Sequence, residues 1–160
     1  MKAHQIDIRV FCKPEDDKAQ IEKAFMSLLP FDTAKEKVRI SKKNAIGFNK
    51  RVITIIETTL KKQRHINSFL DALSQMMNQN QKQNIITNCR KLIDDHLCIF
   101  FRFDKLEFVK DRKLRITDSG ECFHIKVSLA AFPRKLQNAE QTLRDILGQR
   151  EILPCNTMYY

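Results

Sequence analysis

The segment Leu97-Cys98-Ile99-Phe100-Phe101-Arg102-Phe103-Asp104-Lys105 restricts the fold of this chain more than any other. Leu97, Ile99, Phe101 and Phe103 alternate onto one face, while Cys98, Phe100 and Arg102 fall on the other. A strand that is apolar on both sides is expected in the centre of a sheet, where both faces meet other layers. Such a strand seldom keeps an arginine, so Arg102 is expected at its exit or held there for a partner. These residues mark the core and a candidate site together.

Around this strand the element types alternate. Residues 4–13 read as a strand with Ile6, Ile8 and Val10 inward. Pro14 and the acidic run Glu15-Asp16-Asp17 suit the first turn of a helix, whose stripe is Ile21, Ala24, Phe25, Leu28 and Leu29 and which stops at Pro30. Val38 and Ile40 alternate with Lys37 and Arg39 in a short second strand, and Gly47 is expected to hold a special backbone angle. Three helices are then expected. Val52, Ile53, Ile56 and Leu60 line the first, and Ile66, Phe69, Leu70, Leu73, Met76 and Met77 the second. Ile85, Ile86, Cys89, Leu92 and Ile93 line the third, after the polar stretch 78–84. Residues 105–110 suit a short helical turn, Leu114 and Ile116 a short strand, and Asp118-Ser119-Gly120 a turn. Phe123, Ile125, Val127, Leu129 and Ala131 alternate in a long strand, and Leu136, Ala139, Leu143, Ile146 and Leu147 form a closing helix. The expectation is one α+β domain over residues 1–148, a mixed β-sheet with helices mainly on one face, and a loose tail over 149–160.

The charge narrows the function. The 160 residues carry a net +10, divided as +3 over residues 1–47, +6 over 48–93, 0 over 94–120 and +1 over 121–160. A localised positive field suits a phosphate backbone or an acidic partner, although plain solubility also makes small proteins basic. No apolar run approaches the roughly eighteen residues of a membrane span. The start enters a strand pattern without a signal-like apolar stretch, so a cytoplasmic location is expected. Cys12, Cys89, Cys98, Cys122 and Cys155 are odd in number and lie mostly in apolar patterns, which suits reduced core thiols.

Lys42, Lys43, Asn49, Lys50 and Arg51 gather around Gly47 at an expected helix start, where backbone N–H groups and cations make an anion site. Lys61, Lys62 and Arg64 extend that surface on the following turns. Double-stranded RNA is read by shape through phosphate and 2′-hydroxyl contacts, so a rigid basic surface suits it; a solvated lysine face is the competing account. Arg102 and Asp104 share a strand face and form either a structural pair or an arginine held for phosphate, with Lys105 beside it. His96/Cys98 and Cys122/His124 would offer zinc four ligands if their strands were neighbours in register, but the usual ligand spacings are missing. Asp94, Asp95, Asp104, Asp111, Asp118 and Glu121 are the dense carboxylates, interleaved with as many cations. No glycine-rich phosphate loop or nucleophile elbow occurs, so no enzyme and no cofactor is expected.

Three motifs carry a family resemblance over about residues 4 to 130. Phe11-Cys12-Lys13-Pro14-Glu15-Asp16 follows the first strand. Ile46-Gly47-Phe48-Asn49-Lys50-Arg51-Val52 stands at a Gly-His-x-Gly-Asn-Pro-Ile-like turn, and Phe101-Arg102-Phe103-Asp104-Lys105-Leu106 stands at Leu-Arg-Phe-Asp-Lys-Gln, keeping Arg-Phe-Asp-Lys between Phe101 and Leu106. The chain thereby resembles archaeal proteins described as RNA-binding, exosome-linked factors. The resemblance implies a fold like the ribosomal protein that binds the small RNA of the large subunit, compared with double-stranded-RNA-binding domains. It also implies RNA binding without catalysis.

The expected function is therefore non-catalytic recognition of structured or double-stranded RNA, linked to RNA processing. The alternative is an adaptor whose basic face docks on an acidic protein assembly. Salt separates them: RNA affinity falls log-linearly with salt, while an adaptor relies on apolar anchors.

Overall fold

Ile6, Ile8, Val10 and Cys12 turn an apolar side chain inward at every second residue, and a register shift between Ala3 and Gln5 brings Ala3 inward as well. This strand, β1 (Ala3–Cys12), is the centre of the sheet in the computed structural model, which describes residues 1–148. After it come α1 (Lys18–Ser27), β2 (Ser41–Ile46), β3 (Val52–Leu60), α2 (Gln63–Met76), α3 (Gln79–Thr87), α4 (Cys89–Leu92), β4 (Cys98–Asp104), α5 (Lys105–Asp111), β5 (Cys122–Leu129) and α6 (Leu136–Ile146). The five strands lie in the order β2-β3-β1-β5-β4. Every neighbouring pair is antiparallel, so the sheet is not mixed as the sequence suggests. The α+β class holds. One face of the sheet carries the helices, and the core closes there. Phe108 of α5 meets Phe123 of β5 edge-on at 5.2 Å, both fully buried, which fixes α5 on the sheet.

Several local expectations are overturned. Residues 52–60 form a strand, not a helix. Val52, Ile53, Thr54, Ile55, Ile56, Thr58 and Thr59 are β-branched, and the buried positions Ile56, Thr58 and Leu60 alternate. Pairing with β1 runs from Ile6 opposite Leu60 to Cys12 opposite Thr54. Val38 and Ile40 pack against the core without forming a strand, because Lys37 turns the chain with a φ of 55° and β2 begins only at Ser41. Gly47 holds an ordinary extended angle, φ −85°. Its need is steric, since a Cβ there would stand 2.4 Å from Ile53 Cδ1. In this turn the left-handed residues are Asn49 and Lys50, at φ 60° and 56°.

The strand containing Phe101 and Phe103 is an edge strand rather than a central one. Ile99, Phe101 and Phe103 are buried as expected, but Phe100 and Arg102 face solvent, and Leu97 turns at φ 60° before β4 begins. Single bridges of Ile93 to Ile99 and of Phe103 to Ile116 shield that edge, and the latter is all that the 114–116 strand amounts to. The polar stretch 78–84 is largely helical, because Asn78 and Gln81 cap α3 reciprocally. The helix then breaks at Asn88, which divides the third expected helix into α3 and α4. The expected loose tail and Cys155 lie outside the described residues.

Candidate nucleic-acid interface

Residues 37–56 contain Lys37, Arg39, Lys42, Lys43, Lys50 and Arg51 and no carboxylate. Most of this stretch folds as the β2–β3 ribbon on one edge of the sheet. Alternation sends successive lysines to opposite sides. Lys43 turns to the helix-free face, 3.3 Å from Glu57, while Lys42 turns to the helical face, 3.1 Å from Glu22 of α1. The Gly47 N–H donates to the Arg51 carbonyl at 2.7 Å and closes the turn that presents Asn49 and Lys50. Arg51 pairs with Glu15. Ile46, Phe48 and Val52 are exposed at this tip, Phe48 at 89 %. The long helix expected to start here is a strand instead, so Lys50 and Arg51 lead into β3 rather than into a helix N-terminus.

The remaining cations of the expected patch lie at the other end of β3. Lys61 and Lys62 join β3 to α2, and Arg64 in its first turn pairs with Glu36. Glu36 also takes the ring of His65 at 2.8 Å. That hydrogen bond, with Arg64 adding to it against some desolvation, holds the Glu36 carboxyl below its ordinary range. Nine residues of strand separate the two groups, about 30 Å at the usual rise. The expected single patch is thus two clusters. Lys50, Lys61 and Lys62 make no ion pair among the described residues.

Arg102, Asp104 and Lys105 diverge. Arg102 lies on the helix-free face opposite His124. Asp104 does not pair with it; Asp104 Oδ1 accepts the Glu107 N–H at 2.9 Å and caps α5. Lys105 is 2 % exposed. Its Nζ donates to Asp16 at 2.8 Å and to the Phe11 carbonyl at 2.9 Å, and lies 2.7 Å from Glu121. Burial opposes its charge, but the hydrogen bonds to Asp16 and Glu121 outweigh burial and raise its pKa. Lys105 therefore serves the core and cannot meet a ligand at the surface. The acidic run Glu15-Asp16-Asp17 was the available signal, since Asp16 serves this lysine and Asp17 caps α1.

Register also separates the two His/Cys pairs. β4 and β5 are neighbours, yet Cys98 faces Ser128 and Cys122 faces Asp104, at opposite ends. The carboxylates are dispersed too: Asp94 Oδ1 accepts the N–H groups of His96 and Cys98, and Glu121 holds Lys105 and Lys13. Among the described residues, no cluster of three or more His, Cys, Asp or Glu could hold a metal, and no helix is long and apolar enough to cross a membrane.

The sequence reading did not single out the helix-free face of the sheet. Across it, Ser41, Glu57, Arg9, His124 and Arg102 form one cross-strand row, and Thr59, Asp7, Lys126 and Phe100 form the next. The Phe100 and His124 rings lie 5.6 Å apart, and Lys126 Nζ sits 5.9 Å from the centre of the Phe100 ring. Burial first, then Arg102, Arg9 and Lys126, depress the pKa of His124. The period-two placement of aromatic and cationic residues in β4 and β5 was the signal.

A family model described as RNA binding matches residues 5–129. An RNA-binding protein of Pyrococcus abyssi, PAB1135, is 21 % identical over 147 residues, which cover 92 % of this chain and 95 % of the relative. Protein AF2318 of Archaeglobus fulgidus superposes with a TM-score of 0.77 at 20 % identity, over 91 % of this chain and 99 % of its own. Mth689 of Methanothermobacter thermautotrophicus, a DUF54 protein, gives 0.73 at 18 % identity, over 92 % and 99 %. At such identities the two structures show a shared fold. The family match runs through every strand of the sheet, from β1 to β5, and on that ground the chain belongs to the RNA-binding family.

Proposed function

We propose that this protein binds structured RNA without catalysis, gripping the phosphate backbone with the β2–β3 ribbon and with the cluster at the start of α2. The observation that carries the reading is the acid-free stretch 37–56 folded into an edge ribbon, with Lys42, Lys43, Asn49, Lys50 and Arg51 spread along it. A rigid ribbon bearing cations on both sides suits a duplex, whose backbone and 2′-hydroxyls can be read by shape. Lys61, Lys62 and Arg64 supply the second contact. A role beside an RNA-processing assembly such as the exosome rests on the sequence resemblance.

One observation favours the adaptor reading: Ile46, Phe48 and Val52 give the ribbon tip the apolar anchors that protein docking uses. Binding of a labelled RNA duplex over a salt series separates the two. The native chain is expected to lose affinity log-linearly with salt, and the Lys50, Arg51, Lys61 and Lys62 quadruple alanine variant to bind far more weakly with a shallower slope. Absence of binding to duplex and single strand at low salt overturns the RNA reading and leaves the adaptor.

A further inference from the structure

The helix-free face of the sheet has a chemistry that a duplex-gripping ribbon does not use. Phe100 is 38 % exposed there, tilted against His124 with its ring under Lys126. A shallow concavity of about 480 Å³ adjoins these three residues and runs over β1 to β3. The carboxylates of this face are already engaged: Glu57 by Arg9 and Lys43, Asp7 by Gln5 and Thr59. Arg102 and Lys126, in contrast, have no carboxylate partner among the described residues. An accessible ring flanked by two cations that form no ion pair among the described residues is therefore displayed on the β4–β5 strand pair.

A π-face with cations beside it fits a nucleobase that carries its own phosphate, and the base must be unpaired to present its face. From this geometry we infer that the open sheet face binds a single-stranded segment of RNA, with a base stacked on Phe100 and His124 and phosphates held by Arg102 and Lys126. Charge complementarity favours this occupant, because Arg9, Lys43, Arg102 and Lys126 outnumber the two carboxylates of the face, Asp7 and Glu57. Lys43, on the same face of the ribbon, continues the positive surface towards the duplex contacts. The inference rests on the RNA-binding reading above and extends it: the ligand is a duplex continued by unpaired nucleotides.

The test compares a blunt RNA duplex with the same duplex carrying an unpaired oligouridine extension. The native chain should bind the extended form about tenfold more tightly, the scale of one base stacked on an aromatic ring. Phe100→Ala should remove that gain and leave blunt-duplex affinity unchanged, while Phe100→Tyr should keep it. Arg102→Ala with Lys126→Ala should also remove it and flatten the salt dependence of the gain. Equal affinity for the two RNAs, or a gain that survives Phe100→Ala, overturns the inference while the ribbon reading stands. Failure to bind either RNA removes the parent reading itself.

Discussion

Lys105 Nζ lies 2.8 Å from Asp16 Oδ2 and ties the first residue of α5 to the turn that follows β1. The same Asp16 oxygen accepts the Lys13 N–H at 2.8 Å, so the lysine locks a turn that is already formed. Glu121, the residue before β5, completes the contact. Removing the cation strands a partly buried carboxylate. Lys105→Met is expected to cost about 3–5 kcal/mol, towards the lower end because Glu121 is solvent-accessible. Urea unfolding measures it. RNA affinity of the folded fraction should be unchanged, which separates this lysine from the surface cations.

The same cluster sets a pH dependence. Burial alone would raise the carboxyl pKa values of Asp16 and Glu121, but their hydrogen bonds to Lys105, with Lys13 assisting, win and hold both below their ordinary values. A depressed folded pKa means that the unfolded chain binds protons first, so this stability is present above about pH 4 and is lost as pH falls through the folded values. Lys105 has a raised pKa, so its contribution is complete below about pH 10.5 and is lost only as pH rises beyond it. Stability measured between pH 2 and 7 should fall on the acid side in the native chain. Lys105→Met should fall less steeply there, and an unchanged slope would contradict the assignment.

What the sequence revealed followed from burial, and what it concealed followed from pairing. Ile6, Ile8 and Val10, the Ile66–Leu73 stripe of α2 and the Leu136–Ile146 helix were legible because a single side chain period reported the buried face. Val52, Ile53, Ile56 and Leu60 fit a helical spacing by chance, and their β-branching was the better guide. The basic residues were legible as residues but not as one patch, since their placement depended on β3 being extended. Lys105 and Arg102 stand three positions apart yet end in opposite environments, one in the core and one on the open face. Only the registers of β1, β4 and β5 determine that, and these are long-range facts.

His124 reports directly on the open face. Its desolvation, followed by Arg102, Arg9 and Lys126, holds its pKa below the ordinary 6.5. The folded state therefore resists its protonation, and its contribution to stability is lost as pH falls below about 6.5. Titrating the imidazole by nuclear magnetic resonance should give a depressed value that Arg102→Ala raises. Lys126→Ala should raise it by a smaller amount, being the weaker of the two influences. No movement in either variant would mean that the cations do not converge on this ring.

The separation of the two basic clusters sets a length rule for the RNA. Arg51 and Lys61 bracket the nine residues of β3, a distance of about 30 Å. A duplex bridging them needs somewhat more than ten base pairs, because A-form RNA rises less per step than the roughly 3.4 Å of B-form DNA. On a shorter duplex only one cluster can be engaged at a time, so Lys61→Ala with Lys62→Ala should hardly change affinity if the ribbon dominates. On a duplex of about sixteen base pairs, a length that shape-reading proteins span, the same double variant should weaken binding and reduce the salt slope by nearly one for each phosphate no longer neutralised. Binding isotherms for the two lengths at three salt concentrations measure this. An identical weakening on short and long duplexes would mean that RNA does not run along β3 from the ribbon tip to α2.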